Sequence, residues 1–158
     1  MAWGNAVKRK TTIIVAVITG LVVAVAASLF LVRVAEDRVT QDLVSRVDHF
    51  SIPAGWVQES EIVRPERFLC VSTNPCPSIY RRWNAGKELT PDELQAVVSG
   101  VGFEMKTEGT CQRRPNDIGP TSACNSSGTD GEYDYIMNVT DRDGAEPHLV
   151  VLTVRPHQ

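Results

Sequence analysis

Four cysteines, three histidines, a Tyr-Arg-Arg-Trp run and one acidic turn are the residues whose types and spacing could do chemistry in this chain. The cysteines are Cys70, Cys76, Cys111 and Cys124. Outside a reducing compartment an even number of cysteines reads as two disulfides, with three connectivities open. The local pairing Cys70–Cys76 and Cys111–Cys124 is favoured, because each closes a short loop full of turn residues. On the chain-entropy model such a bridge stabilises by about 2–3 kcal/mol. Zinc is the rival, but C-x5-C and C-x12-C match no knuckle spacing and no histidine is placed to help. No metal and no cofactor is expected.

His49, His148 and His157 lie far apart in sequence. None stands in a nucleophile context such as G-x-S-x-G, and neither H-E-x-x-H nor a phosphate loop occurs. The carboxylates fall at turns and on exposed faces, so no acid–base pair is nominated and no catalytic residue is assigned. Asp141-Arg142-Asp143-Gly144 has the start of a calcium loop without the remaining ligands, and a hairpin turn accounts for it. Asn125-Ser126-Ser127 and Asn138-Val139-Thr140 are formal glycosylation acceptors, which matter only in a pathway that reads them. Tyr80, Arg81, Arg82 and Trp83 set two guanidiniums beside two aromatics. Such a group could grip an anionic or sugar-bearing polymer by stacking and bidentate hydrogen bonds. The rival is strand alternation, with one face packed and the other carrying solvated arginines.

What positions all of these is the stretch Thr11 to Val32, twenty-two residues without a charge. As a helix it is about 33 Å long, enough to cross a hydrocarbon core of about 30 Å. Lys8, Arg9 and Lys10 precede it, and positive charge beside a first span stays cytoplasmic. A cleaved signal peptide ending at Ala24-Val25-Ala26 is the alternative, but the apolar run continues through Ser28 to Val32. Within the span Ala16, Gly20, Ala24 and Ser28 recur every fourth residue, a small-residue face that would let a second helix approach. A membrane-protein partner or self-association is therefore expected through the span and the apolar stripe of the stalk that follows it, unless that stripe lies back on its own domain, beside contact with the lipid bilayer itself.

The expected organisation is a cytoplasmic stub (1–10), a transmembrane helix (11–32), a juxtamembrane helical stalk (33–51) and an extracytoplasmic α+β domain (52–158). Lys8, Arg9 and Lys10 account for three of the 16 basic residues, so the part from Arg33 onward holds 13 against 19 acidic ones. That acidic balance argues against nucleic acid as a partner. In the stalk, Val39, Leu43, Val47 and Phe50 form a narrow apolar stripe, and Pro53 and Gly55 end the helix.

In the domain, Trp56–Val63 reads as a strand, and Arg67–Val71 with Ser78–Trp83 as a hairpin tied by Cys70 and Cys76. Thr90-Pro91-Asp92-Glu93 is a capping-box helix start, followed by a stripe of Leu94, Val97, Val98 and Val101. Phe103–Glu108 alternates as a half-buried strand. Between Cys111 and Cys124 there is no core-forming pattern. Tyr133–Val139 and His148–Val154 make a closing hairpin at the middle of the sheet. The predicted fold is a small, mainly antiparallel sheet with one packed helix and two disulfides, behind a membrane helix and helical stalk.

The Ile52-Pro53-Ala54-Gly55-Trp56 segment, the Phe68–Pro77 cysteine loop with Arg81-Arg82-Trp83, and the two closing strands resemble uncharacterised single-pass proteins of high-GC Gram-positive bacteria. The resemblance covers the external domain and implies a cell-envelope setting, without a functional residue to carry over. The function expected is a membrane-anchored extracytoplasmic accessory or interaction protein, non-enzymatic. The alternative is a module that binds a wall fragment, sugar or peptide through Tyr80–Trp83 and the Cys111–Cys124 loop. An enzyme would need a site gathering His148 with a carboxylate and a hydroxyl.

Overall fold

The computed structural model describes residues 3–70, 75–113, 121–140 and 148–157, with side chains from residue 14 onward. The expected Asp141–Gly144 turn and much of the Cys111–Cys124 loop lie outside the described residues, as do residues 71–74.

Helix α1 runs unbroken from Trp3 to Val47, a rise of about 67 Å. Ile14, Val17, Leu21, Val25 and Phe30 are each 52–68 % exposed, so apolar side chains face outward all round this part of the helix. Among the described residues it is the one helix long and apolar enough to cross a membrane. Its character changes at Glu36. Glu36, Leu43 and Val47 are buried and Thr40 is half-buried, a 4-3-4 spacing that presents one face to the sheet. Val39 lies on the margin of that face and stays 38 % exposed. Phe50, just past the helix end, completes the stripe against Tyr135, with ring centroids 6.0 Å apart.

The domain is α+β. Strands β1 (Val57–Arg64), β2 (Ser78–Asn84), β3 (Met105–Gly109), β4 (Ser122–Thr129), β5 (Tyr133–Thr140) and β6 (Leu149–Pro156) form one sheet. Their order is β1-β2-β6-β5-β4-β3, every pair antiparallel. After β2 the chain passes through helix α2 (Pro91–Val98) to the far edge, then returns by a β3-β4-β5-β6 meander. The strand alternation aligns Val63, Ile79, Val154, Tyr135, Gly128 and Met105 in one rung across the sheet. The core lies on this face, under α2 and the C-terminal turns of α1, with Leu43, Ile79, Leu94, Met137 and Leu152 wholly buried. Ile62, Tyr80, Val151 and Ile136 sit on the opposite face, at least partly exposed.

Helix α2 starts as the sequence predicts. The Thr90 hydroxyl accepts the Glu93 N–H at 3.2 Å, and the Glu93 carboxylate accepts the Thr90 N–H at 2.9 Å. Eight residues are too few for a stable free helix, so Leu94, Val97 and Val98 hold it on the sheet. The closing β5–β6 pair is also central, as expected.

Two expectations are corrected. The antiparallel partner of β2 is β1, not Arg67–Val71, because the backbone at Phe68 bonds to α1 instead of to a strand. Strand β4 falls partly inside the Cys111–Cys124 span, where no strand was expected. Its core-facing positions are Cys124, Ser126 and Gly128, which give no apolar alternation to read. A Cβ on Gly128 would run into the Glu104 carbonyl oxygen and stand 2.8 Å from the Met105 side chain. Here β3 crosses so closely that only glycine fits.

Candidate functional site

Within the described residues the structure places four groups that the sequence marked: the cysteines, the small-residue face of α1, the Tyr80–Trp83 run and the histidines. Cys70 is bonded to Cys76 and Cys111 to Cys124. The first bridge lies at the surface beside α1, whereas Cys111 and Cys124 are 0 % and 3 % exposed within the core. Ala16, Gly20, Ala24 and Ser28 all lie on the exposed part of α1, and the Ser28 hydroxyl donates to the Ala24 carbonyl at 2.9 Å. A side chain at Gly20 would meet nothing.

Tyr80, Arg81, Arg82 and Trp83 do not come together. Strand alternation turns Arg81 and Trp83 to the core face and Tyr80 and Arg82 to the opposite one. Trp83 is 4 % exposed. Arg81 donates to Asp48 at 2.6 Å and Glu61 at 2.7 Å, joining the end of α1 to β1 and β2. Burial works against that cation, but the bonds to Asp48 and Glu61 outweigh it and raise its pKa. Arg82 pairs with Glu59 at 3.1 Å.

The histidines are dispersed as well. His157 pairs with Asp134 at 2.6 Å, His49 is exposed at the end of α1, and the His148 carbonyl accepts the Ala85 N–H. Among the described residues no group of three or more His, Cys, Asp or Glu could hold a metal ion.

The structure does gather a set of polar residues on and just beyond α1 that carry no motif in the sequence. They tie this helix to the domain at three levels. Farthest from the exposed apolar segment is Asp48 with Arg81. Next is Arg46, whose guanidinium reaches Asp42 at 2.8 Å, Asp130 at 2.7 Å and Glu132 at 2.7 Å, and lies 5.2 Å from the centre of the Tyr133 ring. Asp130 sits in the β4–β5 turn and also accepts the Tyr135 hydroxyl at 2.7 Å and the N–H groups of Glu132 and Tyr133. Burial opposes the Asp130 charge, but these donors and Arg46 prevail and hold its pKa at about 2. Burial and the bond to Asp130 push the Tyr135 hydroxyl well above its usual range.

The third tie lies beside the exposed segment. Glu36, 8 % exposed, accepts the Phe68 N–H at 2.7 Å and Arg67 at 3.3 Å, and Thr40 accepts the Glu66 N–H at 3.0 Å. The chain before Cys70 is thereby strapped along α1. The only hint in the sequence is positional: Glu36 and Thr40 stand on the helix face that Leu43 and Val47 continue.

Arranged this way, the charged groups compensate one another across an interface between a helix and its own sheet. No family model, curated protein or solved structure matches this chain.

Proposed function

We propose that this chain is a membrane-anchored, extracytoplasmic accessory or interaction protein of the cell envelope, without catalytic activity of its own. One observation carries the reading. Helix α1 passes without a break from a segment apolar on all sides into residues that form the core of the domain. Such a helix holds the domain at a set distance and orientation from the bilayer. Three basic residues ahead of the span favour a cytoplasmic N-terminus. Two disulfides fit an oxidising exterior. The partner contact is the small-residue face of the span, where Ala16, Gly20, Ala24 and Ser28 let a second membrane helix, of another protein or another copy, approach.

Crosslinking in native membranes, followed by identification of the captured species, tests this. Wild-type chain should yield a discrete complex that Gly20→Glu abolishes. A complex pattern unchanged by that substitution would refute the span-mediated contact.

A second reading is favoured by a cleft between the chain at Ser51–Trp56 and α2. Trp56, Leu89 and Val97 line it, and Lys87 and Glu93 pair at its rim. An apolar lining with one tryptophan and a charged pair suits a sugar or peptide from the wall. Thermal-shift measurements with wall fragments, sugars and peptides would separate the readings, since a ligand that raises the midpoint only while Trp56 is intact supports this one.

A further inference from the structure

We infer that Phe68 and Leu69 form a second membrane contact, inserting into the outer leaflet beside α1 as a wedge; this rests on the proposal that α1 spans the bilayer. Both side chains project from the domain, 83 % and 76 % exposed. They are the two most exposed large apolar residues among those described. Two adjacent exposed side chains of this size, contiguous with other apolar surface, mark an interaction or membrane contact.

Their position says what covers them. Phe68 and Leu69 line one concavity with Leu29, Val32, Arg33 and Glu36 of α1. Leu29 and Val32 belong to the last turn of the apolar segment. Whatever medium surrounds Leu29 therefore surrounds Phe68, and for a spanning helix that medium is lipid. The apolar surface of the wedge is continuous with that of the span. Arg33, its side chain 65 % exposed, lines the same concavity and can reach the phosphate groups of the lipids, whereas Arg67 is held by Glu36.

The wedge is also held in place. Glu36 takes the Phe68 N–H at 2.7 Å, and Thr40 takes the Glu66 N–H at 3.0 Å. The Cys70–Cys76 bridge closes the segment immediately behind. The backbone is fixed to α1 while the two apolar side chains are left facing the surroundings. Together with α1, such a wedge gives the domain two points of attachment, which sets its rotation about the helix axis as well as its height.

Brominated lipids provide the test. The full chain carrying Trp3→Phe and Trp56→Phe is reconstituted into phosphatidylcholine–phosphatidylglycerol vesicles. The acyl chains are brominated either near the headgroup or near the bilayer centre. Phe68→Trp reports the wedge, Leu21→Trp reports the middle of the span, and the buried Trp83 sets the unquenched baseline. The Phe68→Trp reporter should lose emission strongly to bromines near the headgroup and much less to those at the centre, with the order reversed for Leu21→Trp. Adding Glu36→Ala should weaken quenching at Phe68→Trp and leave Leu21→Trp unchanged. Quenching of Leu21→Trp alone would overturn the wedge while leaving the anchor intact. Quenching of neither would overturn both.

Discussion

Truncating Leu43 to alanine measures how firmly helix α1 belongs to the domain. Leu43 is 0 % exposed, with Val47 and Phe50 continuing its stripe into the core. Loss of a fully buried leucine costs about 2–5 kcal/mol, from lost transfer energy plus the cavity left behind. Helix propensity offsets only a few tenths of that. Against a typical total stability of about 5–15 kcal/mol the loss is large. Val39→Ala, on the same helix but 38 % exposed, should change stability by no more than about 0.5 kcal/mol. The assay is urea unfolding of the full chain in detergent, followed through the emission of the buried Trp83 with Trp3 and Trp56 replaced by phenylalanine. With a slope of about 1–3 kcal/mol per molar urea, Leu43→Ala should lower the midpoint by on the order of 1–2 M. If the two variants unfold together with wild type, α1 is not part of the core and the rigid coupling is wrong.

Acid should weaken the tie at Arg46. The Asp130 pKa falls from 3.8 to about 2 on folding, so its contribution is complete above about pH 4 and lost as pH drops towards 2. With its carboxylate 17 % exposed and Arg46 32 % exposed, solvent screening brings the effect to about 1–2 kcal/mol. Acid titration of Asp130→Asn alongside wild type should show that loss in the wild type only. Gly128→Ala should destabilise by about 1–3 kcal/mol in a thermal melt, since a Cβ there meets the backbone of β3. Mild reductant should open the exposed Cys70–Cys76 bridge first, leaving the buried Cys111–Cys124 bridge closed until the domain unfolds; alkylation and peptide mapping give the order.

What could be read from the sequence was whatever local pattern determines. Twenty-two uncharged residues specify an apolar helix, Thr90 to Glu93 specify a helix start, and the apolar runs of β5 and β6 specify central strands. The sequence was opaque where contacts are distant. Strand β4 has a buried face of cysteine, serine and glycine, which is polar or small because β3 presses on it: the buried Ser126 hydroxyl bonds to Thr107, which donates to Gln95 of α2 at 2.7 Å. Arg67–Val71 looked like a strand because a run of large residues reads that way, yet Glu36, thirty-two positions away, captures the backbone at Phe68. The Tyr80–Trp83 run follows the strand alternation that the sequence also offered, with the four side chains divided between two faces. What the sequence did not show is that Arg81 and Arg82, on opposite faces, are each held by carboxylates.

The chain contains four lysines, Lys8 and Lys10 ahead of the apolar segment and Lys87 and Lys106 in the domain, so the proposed orientation can be tested without altering a residue. An amine-reactive reagent that cannot cross membranes is applied to intact cells producing the full chain, and modified lysines are located by peptide mapping. Lys87 and Lys106 should be modified at once, and Lys8 and Lys10 only after lysis. Modification of Lys8 and Lys10 in intact cells, or recovery of a mature chain that begins beyond Ala26, would contradict an anchored domain delivered to the exterior.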